Sequence, residues 1–230
     1  MNESAGSQFW GGVRDELPIL LGVIPFGMIY GILALSAGLP ALEAQAMSAI
    51  VFAGASQFML VELVKAGTPV FVIVLTTFVI NLRHALYSAT VAPYLQTLPL
   101  CWKGALAYLL TDEAFAVGVL NYQRRGVTAY AHWYFFGAGL ALWSAWQIST
   151  AAGIFLGAQI PAVWGLDFTL PLTFLALVVP ALKDRAGVAT ALIASLAALA
   201  LIGLPFKLGL ISATLIAIGA GLLAEKKATT

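Results

Sequence analysis

A single cysteine, Cys101, is all that 230 residues provide. One thiol can neither close an intrachain disulfide nor build a thiolate metal site. Histidine is almost as scarce. His84 and His132 stand far apart, with none of the spacings that hold zinc. No metal and no cofactor are therefore expected. The chain also lacks a Gly-x-x-x-x-Gly-Lys-Ser/Thr loop, a His-Glu-x-x-His pair and a Gly-x-Ser-x-Gly elbow. ATP-driven chemistry and the common hydrolytic devices have no footing here. Charge is scarce too: Asp, Glu, Lys and Arg make up 9% of the residues, where a soluble domain carries about 25%. The eleven basic and ten acidic residues leave a formal net charge of +1, so there is no basic field for nucleic acid. The opening MNESAGSQFWGGVRDE has no basic stretch followed by an apolar core, and no cleavable signal peptide is expected.

What the chain has in abundance is apolar surface. Hydrophobic residues make up 61% of it, and the mean hydropathy is +0.97. So few charges cannot cover a surface facing water, which leaves lipid as the solvent. A spanning helix needs about 20 mostly apolar residues. By that measure eight segments are predicted, over 17–38, 44–64, 69–95, 104–120, 130–157, 168–182, 187–204 and 208–224. The last three are short and flanked by Pro180 and Pro205. Either proline can mark a broken or re-entrant segment, so seven spans remain open. A β-barrel would need alternation at period two, whereas Ala189 to Ile202 is continuously apolar and rich in Ala and Leu. The expected fold is one all-α, polytopic transmembrane bundle over residues 1–230.

Basic residues set the orientation. With eight spans, Arg14, Lys65, Arg124, Arg125, Lys183, Arg185, Lys226 and Lys227 fall on one side, and Lys103 and Lys207 on the other. The positive-inside rule then places both termini in the cytoplasm. Among the 22 glycines, Gly27-Met-Ile-Tyr-Gly31 and Gly153-Ile-Phe-Leu-Gly157 are small-xxx-small patterns that let helices approach closely. Packing is their expected use.

Polar residues at membrane depth carry the functional signal. In the second segment, Gly54, Ala55 and Ser56 precede Gln57, a full amide. An opened helix there would offer backbone groups to a ligand. A close-packed crossing with one interhelical hydrogen bond explains the same residues equally well. In the third, Asn81-Leu-Arg-His-Ala-Leu-Tyr-Ser88 interrupts an apolar run. Asn81, His84 and Ser88 share one helical face, Tyr87 lies at its edge and Arg83 on its flank. Arginine at the centre of a span costs about 2.5 kcal/mol or more on insertion scales. Arg83 stands near the middle of 69–95, too deep to snorkel easily to either surface, so it requires a partner.

The fourth segment supplies candidates in Thr111-Asp-Glu-Ala-Phe115. One carboxylate neutralises Arg83; the other is free to hold a proton, since burial and a nearby guanidinium act oppositely on acids. Asp112 and Glu113 are thus the candidates for ion or proton coupling, unless the segment is short and tilted and they sit in a wet vestibule. In the fifth, Trp143 and Trp146 are deep and read as packing residues, with Gln147 beside them as a candidate pore-lining amide. His132 lies near the cytoplasmic connection and is expected to be exposed. The cluster Lys183-Asp184-Arg185 after Pro180 reads as a cytoplasmic turn.

Val51-Phe-Ala-Gly-Ala-Ser-Gln-Phe58, Asn81-Leu-Arg-His-Ala-Leu-Tyr-Ser88 and Thr111-Asp-Glu-Ala-Phe115, in this order and spacing, resemble the AzlC family. The opening Gly-Val-Arg14-Asp-Glu-Leu-Pro18 and the later Val-Val-Pro180-Ala-Leu-Lys-Asp-Arg185 fit it as well. The resemblance implies the large subunit of a branched-chain amino-acid exporter of the AzlC/AzlD type, multi-pass in the cell inner membrane. It implies Leu, Ile, Val and sometimes Met as substrates, an ion gradient as the driving force, and a small AzlD-type membrane partner. The expected substrate path then takes in Gly54, Ser56, Gln57, Asn81, Arg83, His84, Tyr87, Ser88 and Gln147. A channel could use the same polar residues. An intramembrane enzyme would need a constellation such as Ser56, His84 and Asp112, but these lie in three different segments, and no enzymatic activity is expected.

Overall fold

A computed structural model describes residues 4–126, 128–158, 182, 185–204 and 208–228. Among them there is no strand. The helices are α1 (Ala5–Ser36), α2 (Ala41–Ile50), α3 (Gly54–Lys65), α4 (Val70–Val91), α5 (Leu100–Tyr108), α6 (Asp112–Arg125), α7 (Ala131–Gly157), α8 (Arg185–Ala200) and α9 (Leu208–Ala228). Three stretches are long and apolar enough to cross a membrane: α1, Val70–Tyr94 and α7. The fold is the all-α membrane architecture that composition required. The sixth expected segment lies outside the described residues apart from its last position, as do Pro180, Lys183, Asp184, Pro205 and Lys207.

Three of the expected segments differ in form from a simple span. The first starts earlier. Ser4 and Ser7 form a reciprocal cap, with Ser7 N donating to Ser4 Oγ (3.2 Å) and Ser4 N to Ser7 Oγ (3.0 Å), which satisfies amides that open a helix. The polar stretch before Leu17 is therefore helical, and 32 residues give roughly 48 Å of helix at 1.5 Å per residue, well beyond the ~30 Å of hydrocarbon. The second segment is interrupted between α2 and α3 at Val51–Ala53, and the fourth between α5 and α6 at Leu109–Thr111.

The chain divides into two compact units, 1–62 with 77–164 and 63–76 with 165–230. In the first, α1 and α7 pack together along their length. The contact is made by glycine. A Cβ on Gly12 would strike the Tyr134 carbonyl, one on Gly137 the Phe9 carbonyl, and one on Gly153 the Met28 carbonyl. A Cβ on Gly31 would come within 2.5 Å of the Thr150 carbonyl oxygen. Both small-xxx-small patterns face each other across this one seam, as small-residue packing of membrane helices requires. Tyr30, wholly buried, stacks on Trp146 of α7 (6.3 Å) and donates its hydroxyl to Ala44 O of α2 (2.8 Å).

In the second unit, α8 and α9 pair closely, with Gly221 against Thr190 and Gly209 against the Leu201 carbonyl. Leu192, Leu196, Leu199, Leu215 and Leu222 of this pair are exposed, a pattern suited to acyl chains rather than water.

The α1–α7 seam makes a simple prediction. Gly31→Ala should lower the thermal unfolding temperature of the detergent-solubilised protein, at a cost of about 1–3 kcal/mol for overpacking. Gly22→Ala, where nothing lies within 4 Å, should leave it unchanged or raised, since alanine is the better helix former by about 1 kcal/mol. Equal behaviour of the two variants would show that the seam is loose.

Candidate translocation site

The interruption between α2 and α3 is built around Gln57. Val51 leaves the helical region (φ −104°, ψ 70°), and α3 restarts at Gly54. A break frees backbone carbonyls, which in hydrocarbon must find donors. Gln57 Nε2 donates to Val51 O (2.7 Å) and Ser48 O (3.2 Å), while its Oε1 accepts from Trp146 Nε1 (3.0 Å). Gln147 Nε2 donates to Ser48 O as well (3.1 Å), and its Oε1 accepts from Gln45 Nε2 (2.7 Å). Ser48 Oγ and Thr150 Oγ1 are 3.0 Å apart. Tyr108 of α5 donates to Ala49 O (2.6 Å) and accepts from Trp143 Nε1 (2.7 Å). The last turn of α2 is thus held by side chains from α3, α5 and α7. Gly54 sits beneath the Trp146 ring, where a Cβ would come within 3.2 Å of Cη2. The first i→i−4 bond at the start of α3 runs from Gln57 N to Ala53 O (3.0 Å), so the amides of Gly54, Ala55 and Ser56 form the open end of this half-helix.

The second interruption has its own cap. Thr111 precedes α6 in extended conformation and its Oγ1 accepts from Ala114 N (3.3 Å). Asp112 and Glu113 follow in the first turn, where the helix dipole favours negative charge. Arg124 and Arg125 occupy the last turn, at the end that favours cations.

Between these two breaks lies the polar stretch of α4. Arg83 Nη1 is 3.5 Å from Asp112 Oδ2, joining α4 to the first turn of α6. The two side chains keep 30% and 46% of their surface exposed, so the pair borders a space and is not sealed in the core. Arg83 Nε is buried with no hydrogen-bond partner. Asn81 Oδ1 accepts from Ser56 Oγ (2.7 Å), which joins α4 to α3. His84 Nδ1 is 3.2 Å from Asn81 O, and its ring meets Tyr87 edge-on at 5.9 Å. Tyr87 in turn stacks on Phe115 of α6 at 4.6 Å. One turn further on, Ser88 lines a cavity of about 310 Å³ whose other walls include Val91, Leu95, Leu106, Leu110 and Phe135.

The structure therefore links Ser56, Asn81, His84 and Tyr87 by contact and sets the Arg83–Asp112 pair within electrostatic reach of His84, with Ser88 on a cavity one turn further on. Gln57 and Gln147 belong to a different set. They gather around the end of α2, and their donors and acceptors are committed to backbone, Gln45 and Trp146. Glu113 lies beside Asp112 and Thr111. His132 is only partly exposed and packs on Trp102 at 4.8 Å. Sequence reasoning passed over Thr111 as a cap, although Thr followed by two acids is a helix-start signature. It also missed Tyr108, Gln45 and the buried Glu16, which carry no local signal of their role.

The AzlC protein family matches residues 18–160. Over 205 residues the chain is 31% identical to "Inner membrane protein YgaZ" of Escherichia coli (strain K12), covering 86% of this chain and 83% of that protein. It is 32% identical over 188 residues to an "Uncharacterized membrane protein" of Archaeoglobus fulgidus, covering 79% and 80% of the two chains. A Helicobacter pylori (strain 26695) membrane protein shares 27% identity over 176 residues, covering 74% and 75%. No solved structure matches the chain.

Removing the Gln57 amide tests the construction of the first break. Gln57→Leu would leave the Val51 carbonyl and the Trp146 indole N–H without a partner, and should destabilise the protein by about 1–3 kcal/mol. Thermal unfolding with the wild-type midpoint would show that the carbonyls are satisfied by other means.

Proposed function

The chain belongs to the AzlC family, and on that premise we propose that it is the large subunit of a secondary-active exporter of branched-chain amino acids. Its substrates are Leu, Ile and Val, with Met as a further candidate. Export is driven by an ion gradient, and the path is lined by polar residues at mid-membrane. The observation that carries this reading is the Arg83–Asp112 pair, set between two interrupted helices. A charge pair within an apolar segment is expensive, and interrupted helices at membrane depth are the usual sites of substrate and ion binding in transporters.

The chemistry of the site suits a zwitterion. A free amino acid carries one carboxylate and one ammonium. The Arg83 guanidinium and the open amides at the start of α3 offer donors to the first. Asp112 offers an acceptor to the second. The side chain needs an apolar wall, and the cavity beside Ser88 is mostly aliphatic, with Phe135 at one side. Substrate binding would compete with the 3.5 Å ion pair, which gives the site two states. The remaining carboxylate, Glu113, is then available for the coupling ion. The reading places the protein in the cytoplasmic membrane with both termini inside, on the charge bias of its connections, and assigns it a separate AzlD-type subunit.

Reconstituted liposomes test the proposal. With an imposed proton gradient, labelled leucine should move uphill, more strongly when the small subunit is present. Unlabelled leucine on the far side should accelerate the flux, as exchange requires and a channel does not. Arg83→Ala should abolish transport, Asp112→Asn should weaken leucine binding, and Glu113→Gln should remove the pH dependence. Absence of leucine flux with and without the partner would contradict the reading, as would wild-type export by Arg83→Ala.

A further inference from the structure

Among the described residues, the most anomalous side chain lies outside the residues just described. Glu16 of α1 is wholly buried, at 0% exposure. Neither of its carboxylate oxygens has a hydrogen-bond partner. An ionised carboxylate in that position, with no cation and no donor, is among the costliest arrangements a protein can contain. The group must hold a proton, or meet one in the course of function. Packing does not require an acid there, since the α1–α7 seam is closed by glycine and carbonyl contacts.

Its surroundings point the same way. The helices packed against α1 include α7, α6 and α2, and α3 meets it further along through Phe58 on Phe26 and Tyr30. From α6, Glu113 is the charged group whose field reaches Glu16. From α7, Tyr134 lies nearby, but its hydroxyl is committed to Asp15 Oδ2 at 2.6 Å. From α2, the one charged residue is Glu43, which is exposed. On α1 itself, Arg14 and Asp15 face a separate surface hollow shared with Arg124, Arg125 and Tyr134. No basic side chain among the described residues is paired with Glu16. The acids instead form a series: Glu16 within the field of Glu113, Glu113 beside Asp112, and Asp112 on Arg83.

We propose that Glu16 is the proton-holding residue on the cytoplasmic flank of the site, exchanging its proton with Glu113. The inference rests on the exporter reading and names the group that couples it to the proton gradient. At rest Glu16 holds the proton and Glu113 is ionised. A second proton arriving at the Glu113 carboxylate makes that acid, Glu16 releases its own proton toward the cytoplasmic side, and transfer from Glu113 to the vacated Glu16 carboxylate restores the resting pair. No electron moves and no covalent intermediate forms. Like charges on two nearby carboxylates cannot both be held cheaply in such a place, so one proton shared between them is the stable occupancy.

Two measurements decide it. The first needs no substrate. Infrared difference spectra of the purified wild-type protein at neutral pH should show a carboxylic-acid carbonyl band that Glu16→Gln removes. Absence of such a band in the wild type overturns the inference, whether or not the variant folds. The second is transport in liposomes. Glu16→Gln should lose gradient-driven leucine flux by on the order of a hundredfold, the lower range for removal of a positioned proton-transfer group. Exchange of labelled for unlabelled leucine without a gradient should persist, and Glu16→Asp should recover part of the driven flux. Wild-type driven flux and pH profile in Glu16→Gln would overturn the assignment. A wild-type protein that shows the infrared band but moves no leucine would sink the exporter reading alone.

Discussion

Hydrocarbon offers no hydrogen bonds, and that constraint organises the structure. A backbone that leaves the helix at membrane depth must be satisfied by the protein itself. Among the described residues two apolar stretches leave the helix in this way, at Val51–Ala53 and at Leu109–Thr111. The first is held by Gln57, Gln147 and Tyr108, the second by Thr111. These side chains do not come from neighbouring turns alone. Gln147 and Trp146 reach the break from α7, about a hundred positions away along the chain. Broken helices are therefore affordable only because the α1–α7 pair, closed by glycine, fixes where α7 stands.

The charges follow from the same geometry. An unbroken α5–α6 would place Asp112 and Glu113 mid-helix, with no dipole to favour them. The break puts them in the first turn of α6, at its positive end. Asp112 then meets Arg83, and each side chain meets part of the other's solvation cost. Both side chains keep part of their surface exposed, so neither is enclosed by the packed helices. The pair is a boundary between the packed helices and an open space, a setting in which a ligand with charges of its own can compete.

Much of this was legible in the sequence. Composition settled lipid as the solvent, and the two small-xxx-small motifs proved to face each other. An arginine in an apolar segment demanded an acid, and the acids in the following segment included the one it meets. Glycine before Gln57 hinted at a break, though not at the use of Gln57 to stabilise it: a single amide fits equally well as a ligand group or as a cap. The break at Leu109–Thr111 was written in Thr111-Asp112-Glu113 as a cap followed by acids. It went unread because the flanking residues are apolar enough to pass for one span. Glu16 was hidden differently. It precedes the apolar run that begins at Leu17, so hydropathy places it outside the membrane segment. Only the docking of the early turns of α1 on α7 buries it, and no local pattern encodes a contact between residues 12 and 134.

The central claim is that the polar face of α4 borders water at membrane depth while its apolar face borders lipid. Because Cys101 is the one native thiol, replacing it by alanine gives a clean background for single cysteines at Asn81 and Ser88, and at Leu82 and Leu86 on the exposed apolar side. A membrane-impermeant reagent that modifies only thiolates in water should label positions 81 and 88, more slowly when leucine is present, and leave 82 and 86 unmodified. Equal silence at all four positions, or labelling of 82 and 86 in preference to 81 and 88, would contradict the account.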